Sequence, residues 1–282
     1  MSLDLSKVGA TTRAYSLSYD WKNLAAYALG IGAKRDELAY LYENAKGGMK
    51  AYPTFAVVPA FEAVLDLLGQ AQANLAMVVH GGQTVRAHKP LPEHGKLETT
   101  GTLRGIYDLK KFAQLVIDTR SSLGGEAIVE TTWSIIVRGA GGFDGPRPPE
   151  GEPEPTVPKD RPADFSVEEA TSPEQALLYR ISGDVNPLHA DPEFAASVGF
   201  PQGPILHGLA TFGFAARAIA KQAASGDATK IRAIAAQFRK PVWPGDTLVT
   251  QGWQVGGGKL AFTTSVKERG EVVLSNAWAE IA

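Results

Sequence analysis

The chain has 282 residues, of which 44% are hydrophobic, 9% aromatic and 21% charged, and its formal net charge is -2. This is a globular composition with enough apolar residues for two cores, and it lacks the basic excess that nucleic acid or an anionic membrane surface would require. With no cysteine, disulfides, thiolate nucleophiles and cysteine-rich zinc sites are excluded, and five histidines are left to titrate near neutrality.

In chain order, MSLDLSKVGATTRAYSLSYDW has no apolar stretch of signal-peptide length, and no later run approaches the roughly 18 apolar residues of a membrane span. The last residues, WAEIA, carry no peroxisomal tripeptide, so the expected location is cytoplasmic. An aromatic and aliphatic cluster (Tyr52, Phe55, Val57, Val58, Phe61) leads into a helical candidate over Pro59–Leu68. His80, His88 and His94 follow and read as structural or exposed. Alternation over Glu126–Val137 predicts a strand. Gly139–Pro162 is about half Gly plus Pro and nearly free of large apolar residues, so burial cannot offset its ordering entropy. The expected division is therefore 1–138, a linker over 139–162, and 163–282.

The two halves repeat each other at an offset of about 150 residues. Lys89-Pro90-Leu91 matches Lys240-Pro241-Val242, GEAIVETTWSII from Gly125 matches GEVVLSNAWAEI from Gly270, and Trp133 falls opposite Trp278. YALGIG from Tyr27 falls opposite YRISGD from Tyr179. In the second half, Leu206–Ala224 is a helical candidate apolar on almost every face, with polar ends only near Lys221, which predicts a buried helix. Leu248–Trp253 is strand-like, and Gly256–Gly258 reads as a hairpin turn. These pieces predict an α+β fold in which a curved antiparallel sheet wraps one central helix, made twice.

Polar chemistry is concentrated in YRISGDVNPLHADPEFAASVG, from Tyr179 to Gly199. Gly183, Asn186 and Pro187 disfavour regular structure up to His189. Asp191-Pro192-Glu193 then has the cap, first-position and first-turn residues of a helix that Gly199 can stop, and the apolar Leu177–Ile181 segment is expected to pin the other side. Taken singly, Asp184 and Asn186 are ordinary turn formers and His189 an ordinary satisfied histidine. The repeat argues for more: the first half has Gly32 opposite Asp184 and Glu37 opposite His189, so a shared fold does not need these groups.

SGDVNPLH resembles the hydratase signature of the MaoC-like dehydratases, the R-specific enoyl-CoA hydratases, and ADPEFAASVGFPQGPILHGLATFG and FRKPVWPGDTL resemble the segments that follow it. The resemblance covers the chain from about Phe165 onward, while HGGQTVRAHKPLP looks like the degenerate N-terminal domain of two-domain members. It implies a double hotdog fold and reversible hydration of trans-2-enoyl-CoA to (R)-3-hydroxyacyl-CoA. The implied partner is an acyl-CoA substrate, the implied assembly a homodimer, and no cofactor is called for beyond the CoA thioester itself.

Such an addition needs a base for water, an acid for the α-carbon, and donors for the enolate oxygen. Asp184 and His189 supply two proton-exchanging groups for one water, with their roles undivided because they titrate together. Asn186 is expected to orient the water or His189. Gly208, opening the buried helix, is expected to offer its N–H to the thioester carbonyl, as the resemblance implies. His207 either caps that helix or lines the site. Arg239 and Lys240 are expected to meet CoA phosphates, and the cluster of Tyr52, Phe55, Val57, Val58 and Phe61 to line the acyl-tail channel of a non-catalytic first domain. No metal is expected, because Asp184 and His189 lack further ligands at metal-site spacing. Two alternatives stay open: a thioesterase on the same scaffold, and a non-catalytic acyl-thioester binding protein.

Overall fold

The computed structural model describes residues 3–151 and 153–282. Its first half contains β1 (Tyr15–Tyr19), α1 (Trp21–Gly30), α2 (Val57–Gln70), β2 (Val78–Ala87), β3 (Gly95–Asp108), β4 (Phe112–Leu123) and β5 (Glu126–Arg138). The second contains β6 (Phe165–Ala170), α3 (Gln175–Arg180), α4 (Pro192–Ser197), α5 (Gly208–Ala223), β7 (Ile231–Phe238), β8 (Thr247–Gly256), β9 (Lys259–Val266) and β10 (Glu271–Ile281). Among the described residues of 139–164 there is neither helix nor strand.

All ten strands join one antiparallel sheet in the order β1-β3-β4-β5-β2-β7-β10-β9-β8-β6. The order within the second half copies that of the first, so the repeat seen in the sequence is a repeat of topology. The halves meet where β2 pairs with β7, from Gly82 opposite Gln237 to Arg86 opposite Ala233. The two expected sheets are thus one continuous sheet, with no free edge at its centre. This is the double hotdog arrangement: one sheet, with a long helix for each half.

α2 turns Ala60, Ala63, Val64 and Leu67 into the core. The helix comes so close to β3 that a Cβ on Gly101 would lie 3.0 Å from Leu67 Cδ1 and 3.2 Å from the Cβ of Ala63, which accounts for glycine in mid-strand. α5 is buried over every residue from Leu209 to Ala220, as expected of a helix apolar on all sides. Fully buried Phe212, Phe214 and Ile219 each contribute about 1.5–3 kcal/mol to holding it there.

Two local expectations need correction. The interior of α5 carries a charge, Arg217, which has no exposed surface and is paired with Glu37 and Glu169. In the segment meant to pin the polar loop, Leu177 and Ile181 are exposed. Within that segment buried Tyr179 is the anchor, joined by Gln175 just before it, whose Nε2 donates to the carbonyls of Leu29 and Gly30 at the end of α1.

Candidate active site

The loop between α3 and α4 is built from nested turns. Gly183 takes φ +129°, a conformation that side chains resist, and turns the chain out of α3. Asp184 Oδ1 accepts the N–H of Asn186 at 3.2 Å, and Asn186 Oδ1 accepts the N–H of Leu188 at 3.0 Å. The second bond caps a single 3-10 turn, Pro187–His189, within the stretch expected to be irregular. Asp191 then accepts from Glu193 and Phe194 and starts α4. The Asn186 side-chain oxygen is therefore committed to the turn.

These turns deliver His189 into the protein. Its Nδ1–H donates to the carbonyl of Ile205 at 2.8 Å, which leaves the Nε2 lone pair as the proton acceptor. His207 lies against it, the ring centroids 3.7 Å apart and the planes 26° from parallel. His207 does not cap α5 with its side chain; its Nε2–H donates to the main-chain carbonyl of Asp184 at 3.1 Å. Tyr179 covers the ring of His207 at 4.8 Å between centroids.

Ligand-type atoms of Asp184, His189 and His207 all lie within 4.8 Å of one another. One water with ordinary hydrogen bonds spans acceptors up to about 5.5 Å apart, so a single water can be held by Asp184 and His189 together. The trio has the residue types of a metal site, but the two imidazoles are stacked, and the lone pairs of stacked rings run side by side rather than converge on one ion.

Both histidines are poised as neutral rings. Burial pulls His189 below its ordinary value of 6.5, opposed by the nearby Asp184 carboxylate. His207 is held well below that value by burial and then by His189. The charge of Arg180, whose guanidinium reaches the Val185 carbonyl at 3.4 Å, acts in the same direction on both rings.

Gly208 follows His207 directly as the first residue of α5, where main-chain N–H groups have no partner within the helix. A Cβ here would lie 3.2 Å from Cδ1 of Phe238, so glycine is what lets the strand approach. From Phe238 a run of rings leads to the first half: His80 at 4.8 Å, Trp133 stacked on His80 at 4.9 Å, and Phe61 of α2 at 6.4 Å from Trp133. Phe61, His80 and Phe238 along this run are each half-buried.

The remaining expected site residues lie elsewhere. Arg239 alternates to the sheet face opposite Phe238 and donates to Ser275 and Gln237. There it borders a cleft of about 1030 Å³ between the outer face of β2, β5, β7 and β10 and linker residues 154–157. Lys240 is exposed beside it. Tyr52 is buried, stacked on Tyr40 and donating to Glu37 at 2.8 Å; Phe55 is buried against Tyr19 and Tyr27. Of the other histidines, His80 is packed between Trp133 and Phe238, while His88 and His94 are solvent-facing beside Glu130 and Glu93. Of the two places the sequence leaves open for His207, the structure gives the second, against His189 and beside Asp184.

Residues 17–139 match the family described as MFE-2 hydratase 2 N-terminal domain, and residues 155–277 match the MaoC like domain. The 3-hydroxyacyl-thioester dehydratase Y of Mycobacterium tuberculosis is 39% identical over 94% of this chain and 92% of its own length. Enoyl-CoA hydratase 2, peroxisomal, of Arabidopsis thaliana is also 39% identical, over 92% of this chain and 89% of its own length. The chain spans 38% of the peroxisomal multifunctional enzyme type 2 of Mus musculus, again at 39% identity. Among solved structures, a MaoC-like dehydratase from Phytophthora capsici superposes with a TM-score of 0.87 at 33% identity, covering 99% of this chain and 98% of the other.

Proposed function

The chain belongs to the MaoC-like dehydratase family, as a two-domain member of the enoyl-CoA hydratase 2 kind, and on that footing we propose that it reversibly hydrates trans-2-enoyl-CoA to (R)-3-hydroxyacyl-CoA. The observation that carries this reading is the closeness of Asp184 and His189 to one another beside the start of α5.

In the forward direction the thioester carbonyl accepts a hydrogen bond from the Gly208 N–H. A water held by Asp184 and His189 gives a proton to His189 Nε2 while its oxygen bonds to C3. The C2–C3 π electrons move toward the carbonyl, and negative charge collects on the oxygen at Gly208, where the positive end of α5 favours it. The resulting enolate recovers a proton at C2 from the Asp184–His189 pair, so the atoms of one water are added and both side chains return to their starting state. Everything transferred comes from water, and no cofactor is needed. Asp184 holds the second O–H of the water and offsets the positive charge that forms on His189.

The acyl tail runs along the rings of Phe238, His80, Trp133 and Phe61, which gives the first domain its use without catalytic groups. Tyr52 and Phe55, sealed in the core, support that wall rather than line it. The protein acts as a homodimer, which a sedimentation measurement checks. Among the described residues no helix is long and apolar enough to cross a membrane.

The test is to incubate the protein with crotonyl-CoA while following both the conjugated enoyl absorbance and free thiol. Falling absorbance without thiol is expected. Thiol release would support hydrolysis instead, and binding without either change would support a passive acyl-thioester carrier.

A further inference from the structure

We infer that His207 is a positioning residue for this reaction, holding the proton-transfer loop and the oxyanion amide at a set separation through the bond from its ring N–H to the Asp184 carbonyl. The inference rests on the hydratase reading and extends it to a side chain outside the signature.

Three observations carry it. The His207–Asp184 bond ties the loop to the start of α5 across 23 residues, joining the segment that bears Asp184 and His189 to the one that bears Gly208. Next, the ring of His207 lies on His189 at 3.7 Å with Tyr179 on it at 4.8 Å, so it also sets the plane in which His189 presents Nε2. Finally, His207 Nδ1 is buried with no hydrogen-bond partner. Leaving a buried acceptor unsatisfied costs about 1–3 kcal/mol, and a phenyl ring would fill the same place without that cost. Packing alone does not explain an imidazole here; its donor does.

The geometry of the reaction gives the donor its purpose. Carbonyl oxygen and C3 are rigidly spaced in a conjugated enoyl thioester, so the Gly208 N–H and the held water must keep a matching distance. A misplacement of about 1 Å can cost about 10²-fold in rate. Because His207 precedes Gly208 in the chain, one residue sets both ends of that distance.

The experiment compares His207→Phe, which keeps the stacked ring but has no N–H, with His207→Gln, whose amide N–H reaches about as far as Nε2. Both are first checked for native circular dichroism, then assayed on crotonyl-CoA over a range of pH. The expected result for His207→Phe is a kcat lowered by about 10²-fold with KM changed only a few-fold. The acid limb of its kcat/KM profile should move up toward 6.5 as the freed loop lets solvent reach His189. His207→Gln should recover at least about tenfold of the lost kcat and restore the limb. If the Phe variant does not fold, His207→Asn, with its amide at the wrong reach, should show the same loss. The inference is overturned if His207→Phe keeps wild-type kcat, or if kcat falls without a shift of the limb and without rescue by Gln. An inactive wild-type protein would instead overturn the hydratase reading itself.

Discussion

Arg217, in the middle of the central helix of the second half, is joined to Glu37 of the first half across 180 residues, through Nη2–Oε1 at 2.5 Å and Nε–Oε2 at 3.1 Å. Ile31 gives its carbonyl to the same guanidinium, Glu169 adds a second carboxylate at 3.1 Å, and Tyr52 donates to Glu37. The position that the repeat aligns with His189 therefore holds a carboxylate that locks one half onto the other. Removing one partner of a buried pair typically costs 3–5 kcal/mol, and Glu169 remains beside Arg217, so Glu37→Gln should cost about 3 kcal/mol. Thermal unfolding checks this: a clearly lower midpoint is expected, and an unchanged midpoint would show that the pair contributes little.

Asp184→Asn and His189→Gln should each lower hydration by about 10²–10⁴-fold while the protein stays folded, since each removes a proton-exchanging group from the same water. The double variant should be little worse than either single one, because groups acting as a unit are not additive. Steady-state rates on crotonyl-CoA measure this directly.

Gly208→Ala places a methyl group 3.2 Å from Phe238, so either the ring or the first turn of α5 must move. The loss falls on the donor for the developing oxyanion, and kcat should drop by about 10²–10³-fold. An alanine variant with wild-type kcat would remove Gly208 from the site.

The pH dependence follows from neutral histidines. A His189 held below 6.5 stays a competent base until the pH falls beneath that value, so the acid limb of kcat/KM should lie below 6.5. Stability should change with the same sign. The unfolded chain takes up protons on its histidines at 6.5 while folded His80, His189 and His207 resist, so the unfolding midpoint should begin to fall as the pH drops through 6.5. Glu37 adds a later loss. Burial pushes its carboxyl up, but hydrogen bonding to Arg217 and the charge of that group outweigh this and hold it at about 2, so its contribution, complete above 4.5, disappears as the pH approaches 2. Unfolding followed from pH 8 to pH 2 checks the order of the two losses.

What was legible in the sequence was what is local. The all-round apolar helix, the Asp191 cap and the turn residues around Asp184 declare themselves within a few positions, because caps and turns are short-range chemistry. The order of the sheet could be guessed only as two copies, since the β2–β7 pairing that merges them joins strands about 150 residues apart. For the same reason the role of Arg217 is not legible within an apolar helix: its partners come from Ile31, Glu37 and Glu169. Arg239 is expected at the substrate because it enters a strand edge near the site, but strand alternation turns it to the other face while Phe238 takes the inner one. Of the aromatic cluster expected to line a channel, Tyr52 and Phe55 are buried in the core and Phe61 reaches the ring run, while only the packing brings His80 into that run, between Trp133 and Phe238.

The central claim, that one water held between Asp184 and His189 supplies both the hydroxyl and the proton, is tested most directly by hydrating crotonyl-CoA in deuterium oxide and reading the configuration of the product by NMR. Deuterium at C2 on the same face as the new C3 hydroxyl, in the (R)-alcohol, is the predicted outcome. Deuterium on the opposite face would place the proton donor across the substrate from the water and contradict the account.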